Sequence, residues 1–330
     1  TSEMMETSNK TSVNEFILVA FSDFQLNQIL LFIIILLMYI TCISGNITII
    51  SLVKYERSLH KPMYIFISVF AFLEIMFVSA TMPKLLANLL VSNKQISYVG
   101  CFAQMYIFNA LGETECYLLA IMAFDRHLAI NNPLRYTSIM NFKVCSELAF
   151  LPWIIGFSAS FIPTMFTASL EFCGPNVIDH FFCDLSPVQN LACSNPFISN
   201  IVTIALAFFM LIVPFIMIIA FYVGIIITIS RIKTSEGKLK AFSTCSSHLI
   251  VASLFYGTCI IVYVRPKGSR YDKFLALIFL ALTFTVITPL LNPFIYTLRN
   301  KNVKEAFRKS FGQLLKQLPI KFHNQTSQSH

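Results

Sequence analysis

Seven apolar segments run through this chain at 26–53, 62–91, 100–130, 142–166, 197–230, 239–264 and 273–298. Each is long enough to cross a bilayer as a helix, which takes about 20 residues. Inside hydrocarbon the backbone must satisfy its own polar groups, so segments like these fold as helices packed together or not at all. The expected fold class is an all-α membrane protein, a seven-transmembrane helix bundle. Only 12% of the residues are charged, about half the share of a soluble domain, which excludes a soluble enzyme. The net charge of +8 does not indicate a nucleic-acid partner, because the basic residues fall in short loops and the tail and form no single face.

Those basic residues set the expected orientation. Lys54, Arg57 and Lys61, then Arg126, Arg135 and Lys143, then Arg231, Lys233, Lys238 and Lys240 alternate with segments poorer in positive charge, except the last, which holds Arg265, Lys267, Arg270 and Lys273, and the tail carries more. The N-terminus is expected outside and the tail in the cytoplasm, in the plasma membrane. Residues 1–25 form the extracellular segment, without the pattern of a cleavable signal peptide, so the first span serves for insertion. Within it Asn9-Lys10-Thr11 is a glycosylation acceptor. Residues 26–298 form the bundle. At 299–318, Val303, Phe307, Phe311, Leu314 and Leu318 recur at helical spacing opposite Lys304, Arg308 and Lys309, the pattern of a short amphipathic membrane-surface helix. Residues 319–330 are expected to be a disordered tail.

The third segment carries the most chemistry. It opens at Cys101 and ends in MAFDRHLAINNPLRY, with Asp125-Arg126 where a span meets water. Glu115 lies eleven residues before Arg126, on the same helical face and about 16 Å away along the axis. Glu74 sits in the second segment. Ionisable groups inside a span are costly and mark function, and two carboxylates in one bundle share a proton or hold a cation such as sodium. Gly45 allows close helix approach and Asn46 needs a partner across helices. The prolines Pro152, Pro163, Pro214, Pro289 and Pro293 predict kinks.

Between the fourth and fifth segments, residues 167–196 form a long acidic connection holding Cys173, Cys183 and Cys193. With Cys101 these allow two disulfides in three pairings. A His180-x-x-Cys183 metal site is the alternative, and disulfides fit an outer loop better. Cys42, Cys116, Cys145, Cys245 and Cys259 read as small buried residues.

Gly45-Asn46, PMYIF, MAFDRHLAINNPLRY, HFFCD, KAFSTCSSHL, FYGT and PLLNPFIYTLRN, in this order and spacing, resemble the olfactory receptors among the rhodopsin-like G-protein-coupled receptors. The resemblance covers nearly the whole chain. It implies a receptor that binds a small, mostly apolar volatile odorant and activates the olfactory stimulatory G protein, raising cyclic AMP. It also implies the pairings Cys101–Cys183 and Cys173–Cys193. Asp125 and Arg126 match the family's switch, with Tyr222 and Tyr296 reorganising around it. Asn46, Glu74, Glu115 and Asn292 match the polar cluster at mid-membrane. Phe108, Asn109, Gly112 and Glu113 match the ligand cavity on the third helix, Leu206 and Met210 on the fifth, Tyr256, Cys259 and Tyr263 on the sixth, and Leu282 and Thr285 on the seventh. Leu185 of the long loop is expected to cap the cavity, and Glu113 to select an amine or meet a hydrogen bond. Three positions depart from the family: His127 replaces its usual tyrosine, Asn131 a cysteine and Phe221 a serine. His127 raises the question of pH-sensitive coupling.

Three further readings use the same segments. A receptor of this architecture for a non-volatile metabolite outside olfactory tissue has the same sequence signature. An intramembrane protease would pair Ser158 with His248, but the two lie at different depths. A light-sensing pigment needs a lysine in the seventh span, and 274–298 has none. No cofactor or resident metal is expected beyond the ion or proton at Glu74 and Glu115.

Overall fold

A computed structural model describes residues 13–19, 28–263 and 282–317. Asn9, the first part of the seventh apolar segment and the tail beyond residue 317 lie outside the described residues, as does the side chain of Tyr263. Among them are a short strand β1 (Glu15–Leu18), then α1 (Gln28–Tyr55), α2 (Pro62–Leu90), β2 (Gln95–Ser97), α3 (Tyr98–Asn131), α4 (Tyr136–Ile139) and α5 (Phe142–Ala168). After these come β3 (Val177–Ile178), α6 (Leu185–Gln189), α7 (Phe197–Ala207), α8 (Val213–Arg231), α9 (Ser235–Tyr263), α10 (Thr288–Arg299) and α11 (Lys301–Gln317). Wide π turns at Phe208–Ile212 and Thr283–Ile287 lead into α8 and α10.

Among the described residues, five helices are long and apolar enough to cross a membrane: α1, α2, α3, α5 and the continuous Phe197–Arg231. Their outward faces confirm what they are built for. Ile33, Leu37 and Ile40 of α1, Phe150, Ile154 and Phe161 of α5, and Ile204, Ile216 and Ile226 further on are exposed, a density of apolar surface that water does not tolerate. Local signals start and stop the helices. Pro62 stands at the first position of α2. The Ser97 hydroxyl caps α3 by accepting from the Gly100 N–H at 3.1 Å, and Asn141 caps α5 through the Val144 N–H at 3.1 Å. A turn follows α3, the Arg135 N–H donating to the Asn132 carbonyl at 3.1 Å.

α3 is the axis, packing against α2, α5, α8 and α9. Small residues set the closest approaches. A Cβ on Gly156 of α5 would sit 2.5 Å from the Ala110 carbonyl oxygen of α3, and one on Gly45 of α1 would lie 3.2 Å from Pro293 Cβ of α10. Both π turns come immediately ahead of a proline, Pro214 or Pro289. A proline supplies no N–H to the preceding turn, and the wider turn absorbs the mismatch.

At one end, β1 lies between its neighbours, antiparallel to β2 with Phe16 opposite Ile96 and parallel to β3 with Leu18 opposite Ile178. Disulfides join Cys101 to Cys183 and Cys173 to Cys193. Phe16, Leu18, Phe102, Phe172 and Leu185 are buried around them. At the opposite end, α11 buries Val303 and Ala306 and is tied to the start of α2 and to the turn after α1. Asn302 Nδ2 donates to the Tyr64 hydroxyl at 2.9 Å, and Lys309 Nζ meets Glu56 Oε2 at 2.9 Å, which holds the Glu56 carboxyl below its usual range. N-terminal strand and disulfide loop therefore share one end of the molecule, and α11 takes the other.

Candidate functional site

α3 ends in a closed polar lock. Arg126 donates from Nε to Asp125 Oδ2 at 2.9 Å, and from Nη2 to the same oxygen. The other Asp125 oxygen accepts from the Tyr136 hydroxyl of α4 at 2.6 Å. Both members of the pair are buried, so each supplies the charge the other needs away from water. Beside them is a cavity of about 10 Å³, lined by Met63, Met122, Asp125, Arg126, His248 and Tyr296 among others. That is about the room one water requires.

His248 joins three helices. Its Nε2 lies 3.0 Å from the Leu119 carbonyl of α3, so it carries the proton, and Nδ1 is left to accept from the Tyr222 hydroxyl of α8 at 2.7 Å. The two rings lie parallel at 5.8 Å. The Tyr222 hydroxyl is thus engaged by His248, while the Tyr296 hydroxyl has no hydrogen-bond partner and Tyr296 borders the cavity. Sequence reasoning took Tyr222 and Tyr296 into the switch and missed Tyr136 and His248. Both were in quoted strings, but nothing in spacing shows that they meet Asp125 and Tyr222. The protease reading falls here: both nitrogens of His248 are engaged, His248 is buried and Ser158 is exposed.

One level up, Asn292 Nδ2 of α10 donates to Glu74 Oε1 of α2, and Glu115 of α3 lies within electrostatic reach of Glu74. Asn46 is buried but turns to its own helix, donating to the Cys42 carbonyl at 3.0 Å. Glu74 Oε2 and Asn292 Oδ1 are enclosed without a partner. These unpaired oxygens fit a proton or a hard cation, which takes oxygen ligands.

The residues matched to the ligand cavity divide between two apolar clusters. Phe108 stacks on Phe77 at 4.8 Å and meets Phe182 of the loop at 4.5 Å, in a cluster that also takes in Leu282. Tyr256 and Cys259 lie in the other, where Tyr256 packs on Phe215 at 4.8 Å. Phe284 touches both. Glu113 turns toward Ser160 of α5, with its Oε2 enclosed and unpaired, as is the Tyr256 hydroxyl. Asn109 donates to the Met105 carbonyl of its own helix at 2.8 Å, and Gly112 faces Phe77. Met210 and Thr285 are buried and Leu206 is half-buried. Leu185 lies in the cluster around the Cys101–Cys183 bond, and Phe182 is the loop residue whose ring meets Phe108.

The metal reading of His180 and Cys183 is corrected. Cys183 is spent in a disulfide, and His180 Nδ1 accepts from the Phe182 N–H at 3.4 Å while the ring stacks on Phe181 at 4.8 Å. Burial pushes the His180 imidazole down to about 4 and raises the Asp184 carboxyl. Among the described residues no cluster of His, Cys, Asp and Glu is placed to hold a metal.

Comparison with known proteins identifies the family. The sequence profile of the olfactory receptor family matches residues 35–314. Olfactory receptor 11L1 of Homo sapiens is 45% identical over 305 residues, 92% of this chain and 94% of that protein. Olfactory receptor 6N1 of Homo sapiens is 43% identical over 313 residues, 94% of this chain and 99% of that one. Olfactory receptor 6E1 of Mus musculus is 44% identical over 313 residues, with coverages of 94% and 98%. The chain belongs to the olfactory receptor family, and it is an odorant receptor, not an enzyme.

Proposed function

We propose that this receptor spans the plasma membrane seven times, with α9 and the segment ending in α10 as the last two crossings, the N-terminus outside and α11 at the cytoplasmic surface. A small, mostly apolar volatile ligand binds in the half of the bundle nearest the disulfides, between the Phe108 and Tyr256 clusters. Phe284 is the hinge between them, and Glu113 and Tyr256 offer the polar contacts, since their enclosed oxygens lack partners. Binding there releases Arg126 at the other end of α3 to the stimulatory G protein, and cyclic AMP rises. Glu74 and Glu115 share one proton or one cation and link the two levels.

One observation carries this reading. A single helix, α3, is pinned at one end by the Cys101–Cys183 bond and locked at the other by Asp125, Arg126 and Tyr136. A ligand that displaces α3 at one level therefore acts on the lock at the other. The test is ligand-evoked cyclic AMP over a panel of volatiles in cells carrying the olfactory G protein, with surface display verified. A dose-dependent rise that Arg126→Ala abolishes is expected. A rise that survives in a well-displayed Arg126→Ala variant would remove the lock from the mechanism.

A further inference from the structure

His127 occupies a notch that this chain has built for it. The half-buried ring leans from α3 onto α8, 5.5 Å from the Phe221 ring, with Nδ1 3.2 Å from the Phe221 carbonyl oxygen. Gly224, one turn further along α8, makes the room: a Cβ there would lie 2.5 Å from His127 Cε1. Asn131, one turn further along α3, closes the other side, its Nδ2 3.3 Å from Nδ1 and 3.2 Å from Nε2. No titratable group appears among these contacts. Of the acidic and basic groups at this end of the two helices, Asp125 and Arg126 are turned to each other and Arg231 is exposed; Glu113 and Glu115 lie three or more turns back along α3.

The donor count is specific. A carbonyl only accepts, so Nδ1 carries the proton, and in neutral imidazole Nε2 then accepts from the Asn131 amide. That leaves Asn131 Oδ1 enclosed with no partner, a state that costs stability. Protonation of the ring reverses the balance. Nε2–H becomes a donor, the Asn131 amide turns over, its Oδ1 accepts, and no oxygen is left unpaired.

We propose that His127 is a positioning residue for G-protein coupling: keyed between Gly224 and Asn131, it clasps α8 to α3 in the resting receptor, and the clasp tightens when the cytoplasm turns acidic. The proposal rests on the receptor reading above and adds proton control of its resting state.

Two measurements test it. In membranes holding the receptor and the olfactory stimulatory G protein, ligand-free nucleotide exchange above an Arg126→Ala blank is followed between about pH 6 and about pH 8. Exchange is expected to fall about fivefold toward the acidic end, a modest allosteric coupling. His127→Phe should abolish the slope, and Gly224→Ala, which expels the ring, should raise exchange at all pH values. In the second, amide hydrogen exchange of the purified full chain in lipid nanodiscs is corrected for intrinsic rates. The α8 amides around Phe221 should be better protected at the acidic end in the wild type and not in His127→Phe. Equal protection at both pH values overturns the clasp, whether or not the receptor couples. pH-dependent protection with a pH slope in nucleotide exchange that His127→Phe leaves unchanged, or with no slope at all, leaves the joint but overturns its control of coupling.

Discussion

His180 shows how one side chain can make a loop sensitive to acid. It is neutral and buried between Phe181 and Phe182, its folded value lowered to about 4, whereas in the unfolded chain it returns to about 6.5. The unfolded state binds the extra proton between those values, so the stabilisation is complete above about pH 6.5 and lost as pH falls toward 4. The difference is worth about 3 kcal/mol. Thermal melts of the purified receptor should show the midpoint dropping through that window, and His180→Phe should flatten most of the drop. At this scale the sequence was read unevenly. Asp125 and Arg126 are legible because a charged pair after an apolar run has few explanations. Tyr136, His248 and Gln104, whose Oε1 accepts from the Cys183 N–H at 3.0 Å, are not legible. His248 and Gln104 act through partners distant in the chain and Tyr136 through one on the preceding helix, and residue type alone does not reveal that.

Gly156 carries the contact between α3 and α5. Any side chain there meets Ala110 O, Thr114 Oγ1 and Thr114 N, all closer than 3 Å, and two of these are backbone atoms that cannot swing aside. Gly156→Ala should cost about 1–3 kcal/mol by overpacking, read as lost surface display and a lower melting midpoint. Gly112→Ala on α3 is the control, because its added Cβ meets only Phe77 at an ordinary 3.7 Å. The helices themselves are the legible part of the fold. Expected spans at 62–91 and 142–166 return as Pro62–Leu90 and Phe142–Ala168, since length and hydropathy decide them. The kinks expected at Pro214 and Pro289 return as π turns just ahead of each proline. Periodicity gives no hint of which repair a helix will choose. The three strands escape sequence reading altogether. They span two to four residues each, too short for an alternating pattern, and their pairing is long-range.

For the molecule as a whole, the two disulfides divide the work unequally. Cys101–Cys183 closes a separation of 82 residues and Cys173–Cys193 one of 20. By loop-closure entropy the first is worth about 4–5 kcal/mol and the second about 3 kcal/mol. Paired serine substitutions should therefore rank in that order in their loss of displayed receptor, measured by labelling intact cells with an extracellular tag. The same long-range logic applies to β1, the middle strand of its sheet. β1 leaves the ribosome before α1, yet its neighbours are residues 95–97 and 177–178, which come only after α1 and α2, and then α5, have been made. The strand produced first is seated last. Its docking is a completion signal, available only to a chain whose early helices and long loop have already come together, and a segment left undocked marks a receptor whose assembly stopped short.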